Sequence, residues 1–148
     1  MRTHRFAFTA VALAGVMLAG CGGSSYKGLS KADFITQADA ICKKFDDQVN
    51  AATQGIDPSA DQQKAVDVLQ NQLLPAEREQ VKELRKLKPP KEDRDTIKKM
   101  LDAVDDGVDQ ADKDLKSDPS KVFADDYDPF KSANEQAQAY GLKECGQS

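Results

Sequence analysis

The side chains of this chain that could do chemistry are three cysteines, one histidine and a large set of carboxylates. Cys21 is the most telling of them. It closes the tetrapeptide Leu18-Ala19-Gly20-Cys21, where small residues precede a thiol at the end of an apolar run. That arrangement reads as a lipobox: the thiol takes up diacylglycerol, the chain is cut ahead of it, and Cys21 becomes an acylated N-terminus. Upstream, Arg2, His4 and Arg5 form a positive flank and Phe6 to Leu18 an apolar run of thirteen residues. Thirteen are too few to span a bilayer, which takes about 20, but they suit a signal peptide. The expected division is residues 1–20 as a removed signal peptide, 21–29 as acylated cysteine and flexible tether, and 30–148 as the folded domain.

With Cys21 given to lipid, Cys42 and Cys145 remain as an even pair in an oxidising compartment. A bridge between them closes a loop of about 100 residues, worth up to roughly 4.7 kcal/mol in the chain-entropy model. The alternative is a redox pair or a thiolate metal site, against which stand the wide separation and the lack of a neighbouring histidine. The sole histidine, His4, leaves with the signal. Its loss removes histidine ligation of haem, the usual zinc and copper sites, Ser-His-Asp triads, Cys-His dyads and the Glu-x-x-His pairs of di-iron bundles. Met100 is the one methionine left, so a methionine-rich copper site goes too.

Carboxylates remain. Between Asp102 and Asp128 the chain carries ten Asp and no Glu, and oxygen-only clusters can hold calcium. The best local match to a calcium loop, Asp102-x-Val104-x-Asp106-Gly107, fails at its third ligand and has Lys113 where a glutamate is needed. Asp125, Asp126 and Asp128 are the weak candidates for a cation; solvated helix faces and turn caps are the plainer reading. Catalysis by two carboxylates needs both in one cleft with shifted pKa values. With no Trp and few Phe, a small bundle offers little on which to stack a sugar. A non-enzymatic protein without a cofactor is expected.

Charge narrows the partners. Arg2 and Arg5 leave with residues 1–20, so 19 of the 21 Lys and Arg face 25 acids, a net −6. Such a balance argues against nucleic acid and against docking on anionic lipid by charge alone. Attachment falls to the lipid, and two or more acyl chains (palmitate among them) make a stable anchor where one does not. Lys82 to Lys99 runs against the trend, with eight basic residues to four acids. It could meet phosphate groups or an acidic partner, or form a salt-bridged helix pair.

These residues are positioned by helices. Ser30 caps a first helix whose stripe is Phe34, Ala38, Ile41, Phe45, Val49 and Ala52, with Cys42 facing the core and Gly55 as its stop. A second uses Val66, Leu69, Leu73, Leu84 and Leu87, with Val81 and Ala76 nearby, and is kinked or divided by Pro75. The third has the cleanest seam: Ile97, Leu101, Val104, Val108, Ala111 and Leu115, with Gly107 inside it. Asp128-Pro129 opens a fourth, with Phe130, Ala133, Ala137 and Tyr140 on one face and Gly141 at its end. No segment alternates with period two. The fold expected is all-α: an antiparallel four-helix bundle with a kinked second helix, closed by one disulfide.

The lipobox, the Phe34…Ala38-Asp39-Ala40-Ile41-Cys42 helix, the Leu84-x-x-Leu87-Lys88-Pro89-Pro90 turn and the Gly141-Leu142-x-x-Cys145 end resemble those of small exported lipoproteins of the actinobacterial type. The resemblance implies an exported helical domain with one bridge and carries no catalytic residue across. The expected function is a non-enzymatic binding or interaction module, lipid-anchored on the outer face of a bacterial cytoplasmic membrane, with an envelope protein or ligand as partner. The runner-up is a carrier of a small apolar ligand, with a cavity opened where Pro75 and Gly107 disturb the packing.

Overall fold

The computed structural model describes residues 26–147; the lipobox and Cys21 lie outside them. The helices are α1 (Lys31–Thr53), α2 (Gln62–Val68), α3 (Leu74–Lys86), α4 (Arg94–Ser117) and α5 (Lys131–Tyr140). A π-helical turn, Leu69–Leu73, joins α2 to α3 without a break, so these three form one kinked rod. Short 3-10 turns at Lys91–Asp93 and Pro119–Phe123 bracket α4. No strand occurs among the described residues. The result is the all-α antiparallel four-helix bundle that the apolar spacing predicts, with Cys42 bonded to Cys145 across a sequence separation of 103.

Local chemistry sets the helix ends. The Ser30 hydroxyl oxygen accepts from the Asp33 N–H at 3.1 Å and so fills the first turn of α1. At the C-terminus of α5, Gly141 takes φ +106°, a left-handed cap open to a residue without Cβ. Asp128 behaves differently from expectation. It accepts from the Phe130 N–H at 3.1 Å in a turn, and α5 begins only at Lys131.

Pro75 kinks the second rod in a specific way. It has no N–H to give, and its ring crowds the carbonyl one turn back. The backbone answers by widening: the Leu74 N–H reaches Leu69 O, five residues back, while Leu73 and Leu74 keep right-handed helical angles. Gly107 disturbs nothing. A Cβ there would lie 2.7 Å from a Phe130 ring carbon, so the glycine seats the Phe130 ring against α4 instead of opening a cavity.

The core has two parts. The larger surrounds the disulfide: Phe34, Ala38 and Cys42 from α1, Val81 and Leu84 from α3, Ile97, Met100 and Leu101 from α4, with Ala137, Tyr140 and Leu142. Tyr140 binds this half together. Its ring meets Phe34 edge-on at 5.9 Å, its hydroxyl donates to Asp93 at 2.7 Å, and the Lys31 ammonium sits 4.3 Å from its face. Burial, then the Asp93 carboxylate, pushes its phenol well above the usual tyrosine range. The smaller part holds Leu74, Val108, Ala111 and Leu115, flanked by half-buried Val66, Leu69, Val122 and Phe130.

Residues 26–29, expected to belong to a flexible tether, are docked. Tyr26 donates its hydroxyl to Pro89 O at 2.8 Å, the Leu29 N–H bonds Lys88 O at 2.8 Å, and Arg94 stacks over the Tyr26 ring. Gly28 lies so close to the Pro89 carbonyl that a Cβ would meet it at 2.3 Å. The chain thus enters the bundle at the turn between α3 and α4. Half of the basic run Lys82–Lys99 is ion-paired: Arg85 bridges Asp102 (2.9 Å) and Asp105 (2.7 Å), Lys98 also holds Asp102, and Lys82 and Lys86 bond Glu79 and Glu83. Arg85 crosses from α3 to α4, while the other three pairs lie within one helix and, being exposed, add little to stability.

Candidate functional site: the distal cleft

The π-helical turn decides where the bundle is open. Beyond Cys42 the α1 stripe continues through Phe45 and Val49, which need a facing wall. The widened rod turns Leu69 and Leu73 toward them without closing the gap. What remains is a cleft of about 500 Å³. Phe45 and Val49 form one wall, Leu69, Leu73 and Leu74 the other, and Phe130 borders it. By contrast, the void inside the disulfide half is about 30 Å³, room for no more than a water. A smaller groove of about 250 Å³ lies behind, between Ile56, Val68 and Phe123, so that Leu69 and Leu73 are the ridge shared by both.

Two carboxylates stand in this apolar setting. Asp46 from α1 and Glu77 from α3 both line the cleft, with Asn50 and Gln147 at its edge. Glu77 is only partly exposed, and no described residue hydrogen-bonds or ion-pairs with it. Burial pushes its carboxyl up to about 7, with the Asp46 charge adding to the effect. Asp46 is raised in turn, by burial first and then by Glu144 and Asp47. One turn along, the Gln80 amide N–H donates toward the Cys42 sulfur at 3.0 Å, while its buried carbonyl oxygen has no partner among the described residues.

The aspartate candidates fare differently. Asp125 and Asp126 are exposed, and Asp128 is used by the turn before α5. No group of three or more His, Cys, Asp or Glu side chains that could hold a metal ion gathers among the described residues. The aspartate that does converge with neighbours is Asp114, 8% exposed. It accepts from Gln110 at 2.6 Å and from the Tyr127 hydroxyl at 3.3 Å, which ties the loop after α4 back to that helix. Desolvation and the Asp114 charge push the Tyr127 phenol up to about 12.

No protein-family model, curated protein or solved structure matches this chain. Whatever the cleft does must be argued from its own residues. Its geometry suits reversible binding: an open apolar trough of small-molecule size with few polar groups. The cleft lies beside the π turn that precedes Pro75, whereas Gly107 is filled by the Phe130 ring. Sequence reasoning missed Glu77, although a signal was present. The apolar register Leu69, Leu73, Val81, Leu84 runs in steps that demand one more inward residue, and that position is Glu77. The disulfide pair, Cys42 and Cys145, meets as expected, behind the cleft in the adjoining core.

Proposed function

We propose that this chain is a lipid-anchored protein of the bacterial cell envelope. Acylated Cys21 holds it on the outer face of the cytoplasmic membrane, and the bundle binds a small, largely apolar ligand reversibly in the distal cleft. The observation that carries this reading is the cleft itself: about 500 Å³ walled by Phe45, Val49, Leu69, Leu73 and Leu74, on a bundle whose other half holds a void of about 30 Å³. The volume falls in the range of small-molecule sites, roughly 300–1,000 Å³. We read it as a binding module: the cleft is walled mainly by hydrocarbon, and Asp46 and Glu77 are the carboxylates that line it. No described helix is long and apolar enough to cross a membrane.

Two measurements test this. A neutral fluorescent probe, N-phenyl-1-naphthylamine, should bind saturably at one site per chain, and Leu73→Gln should weaken that binding about tenfold or more. Unsaturable binding, or binding untouched by Leu73→Gln, contradicts the cleft. Cys21→Ser should leave unprocessed precursor in place of the anchored form; unchanged processing and anchoring contradicts the envelope assignment.

A further inference from the structure

We propose that the distal cleft selects an organic cation with an apolar body, an alkyl- or arylammonium compound whose charge is neutralised by Glu77 and Asp46. This rests on the reading of the cleft as a ligand site and adds the chemical class of the ligand. The cleft supplies two kinds of surface side by side. Phe45, Leu69 and Leu73 offer hydrocarbon, while Glu77 and Asp46 offer carboxylate.

What it does not supply is a counter-charge. Of the charged groups on the elements around Glu77, Asp46 of α1 acts on it, and that action is repulsive. Lys43 of α1 is bonded to Asp47, and Arg78 of α3 is bonded to Asp109 of α4. Lys131 and Glu135 of α5 line a separate groove with Asn134. Glu144 from the C-terminal segment acts on Asp46 and adds more negative charge.

Each ligand class then has a different outcome. An anion would meet two carboxylates in a partly desolvated trough, where repulsion is poorly screened. A neutral apolar ligand would bury the carboxylates further with nothing to compensate them. An ammonium group relieves both, and its hydrocarbon covers the leucine wall. The elevated Glu77 carboxyl has the same origin, burial without a cation, so cation binding should strengthen as pH rises through about 7.

The test uses the full chain carrying Cys21→Ser and two probes of equal tail, octyltrimethylammonium and octanol, by titration calorimetry. The quaternary ammonium keeps its charge at every pH, so any pH dependence belongs to the protein. Octyltrimethylammonium should bind about tenfold more tightly at pH 8 than at pH 5.5. Glu77→Gln should remove that dependence and leave octanol bound, at pH 8 no more weakly than in the parent. Asp46→Asn should weaken the cation without abolishing its pH dependence, and serves if the Glu77 variant misbehaves. Equal affinity for the two probes, or a pH dependence of cation binding that survives Glu77→Gln, overturns the proposal while leaving the cleft as a site for neutral ligands. Failure of both probes to bind overturns the cleft reading itself.

Discussion

The two halves of this bundle are built from the same helices yet differ in how completely they close. In the disulfide half, Phe34, Ala38, Cys42 and Leu142 are at most 1% exposed, and the Cys42–Cys145 bond ties the middle of α1 to the segment after α5. Asp39 of α1 also accepts from the Lys143 and Glu144 N–H groups at 3.0 and 3.1 Å, which fastens that segment a second time. In the distal half, Val49, Leu69, Leu73, Val122 and Phe123 stay half-buried around two grooves. The difference starts at Pro75. A regular helix through residues 69–73 would bring leucines onto α1 in unbroken register, whereas the π turn shifts them and leaves a trough. One half therefore carries the stability, and the other is free to carry a ligand.

The largest effect should come from the bridge: Cys42→Ser with Cys145→Ser should cost about 2–5 kcal/mol by chemical denaturation. A loss under about 1 kcal/mol would mean that the disulfide half holds itself closed without it. Phe34→Ala in the same half should cost about 3–5 kcal/mol, while Leu73→Ala on the half-exposed ridge should cost well under half as much. Equal costs would erase the distinction between the halves.

Glu77 provides the next step, with the opposite sign. The unfolded carboxyl ionises near its ordinary 4.5 and the folded one near about 7, so folding takes up a proton between these values. Stability is then fully favoured below the lower value and falls as pH rises across the window. Glu77→Gln should raise stability at pH 8 by of order 2 kcal/mol and flatten the pH dependence between 5 and 8. A destabilised variant would show that the carboxylate has a partner after all. Gly107→Ala is a subtler probe. Its methyl group must displace both the Phe130 ring and the Pro129 carbonyl, costing about 1–3 kcal/mol, and should reshape the border of the distal cleft. The smallest effect is expected for Asp125→Asn with Asp126→Asn, within about 0.5 kcal/mol and insensitive to calcium. A calcium-dependent melting shift in the parent that this pair removes would restore the cation site.

Much of the fold was legible because it is encoded locally. Ser30 three residues before Asp33, Gly141 after Tyr140, and the four-three spacing from Ile97 to Leu115 each fix a cap, a stop or a face without reference to the rest of the chain. Cys42 and Cys145 paired by elimination and by lying at the two ends of the domain. The site was harder to see. Pro75 signals a kink, but whether the helix breaks, bends or widens depends on the tertiary wall it faces. Gly107 reads as a weak point in a helix, yet its function is contact with Phe130, which comes from more than twenty residues away. Glu77 looks like any helix-surface acid until its place in the Leu73-to-Val81 register is counted. The docking of Tyr26 on Pro89 was hidden for a similar reason, since a Gly/Ser-rich approach masks the aromatic anchor that follows it.

The most direct test of the account is an amide-resolved NMR titration of the protein with octanol. The account requires saturable shifts at Phe45, Val49, Leu69, Leu73 and Glu77, with Phe34, Met100 and Tyr140 unmoved. No saturable shift, or shifts centred on the disulfide half, would contradict it.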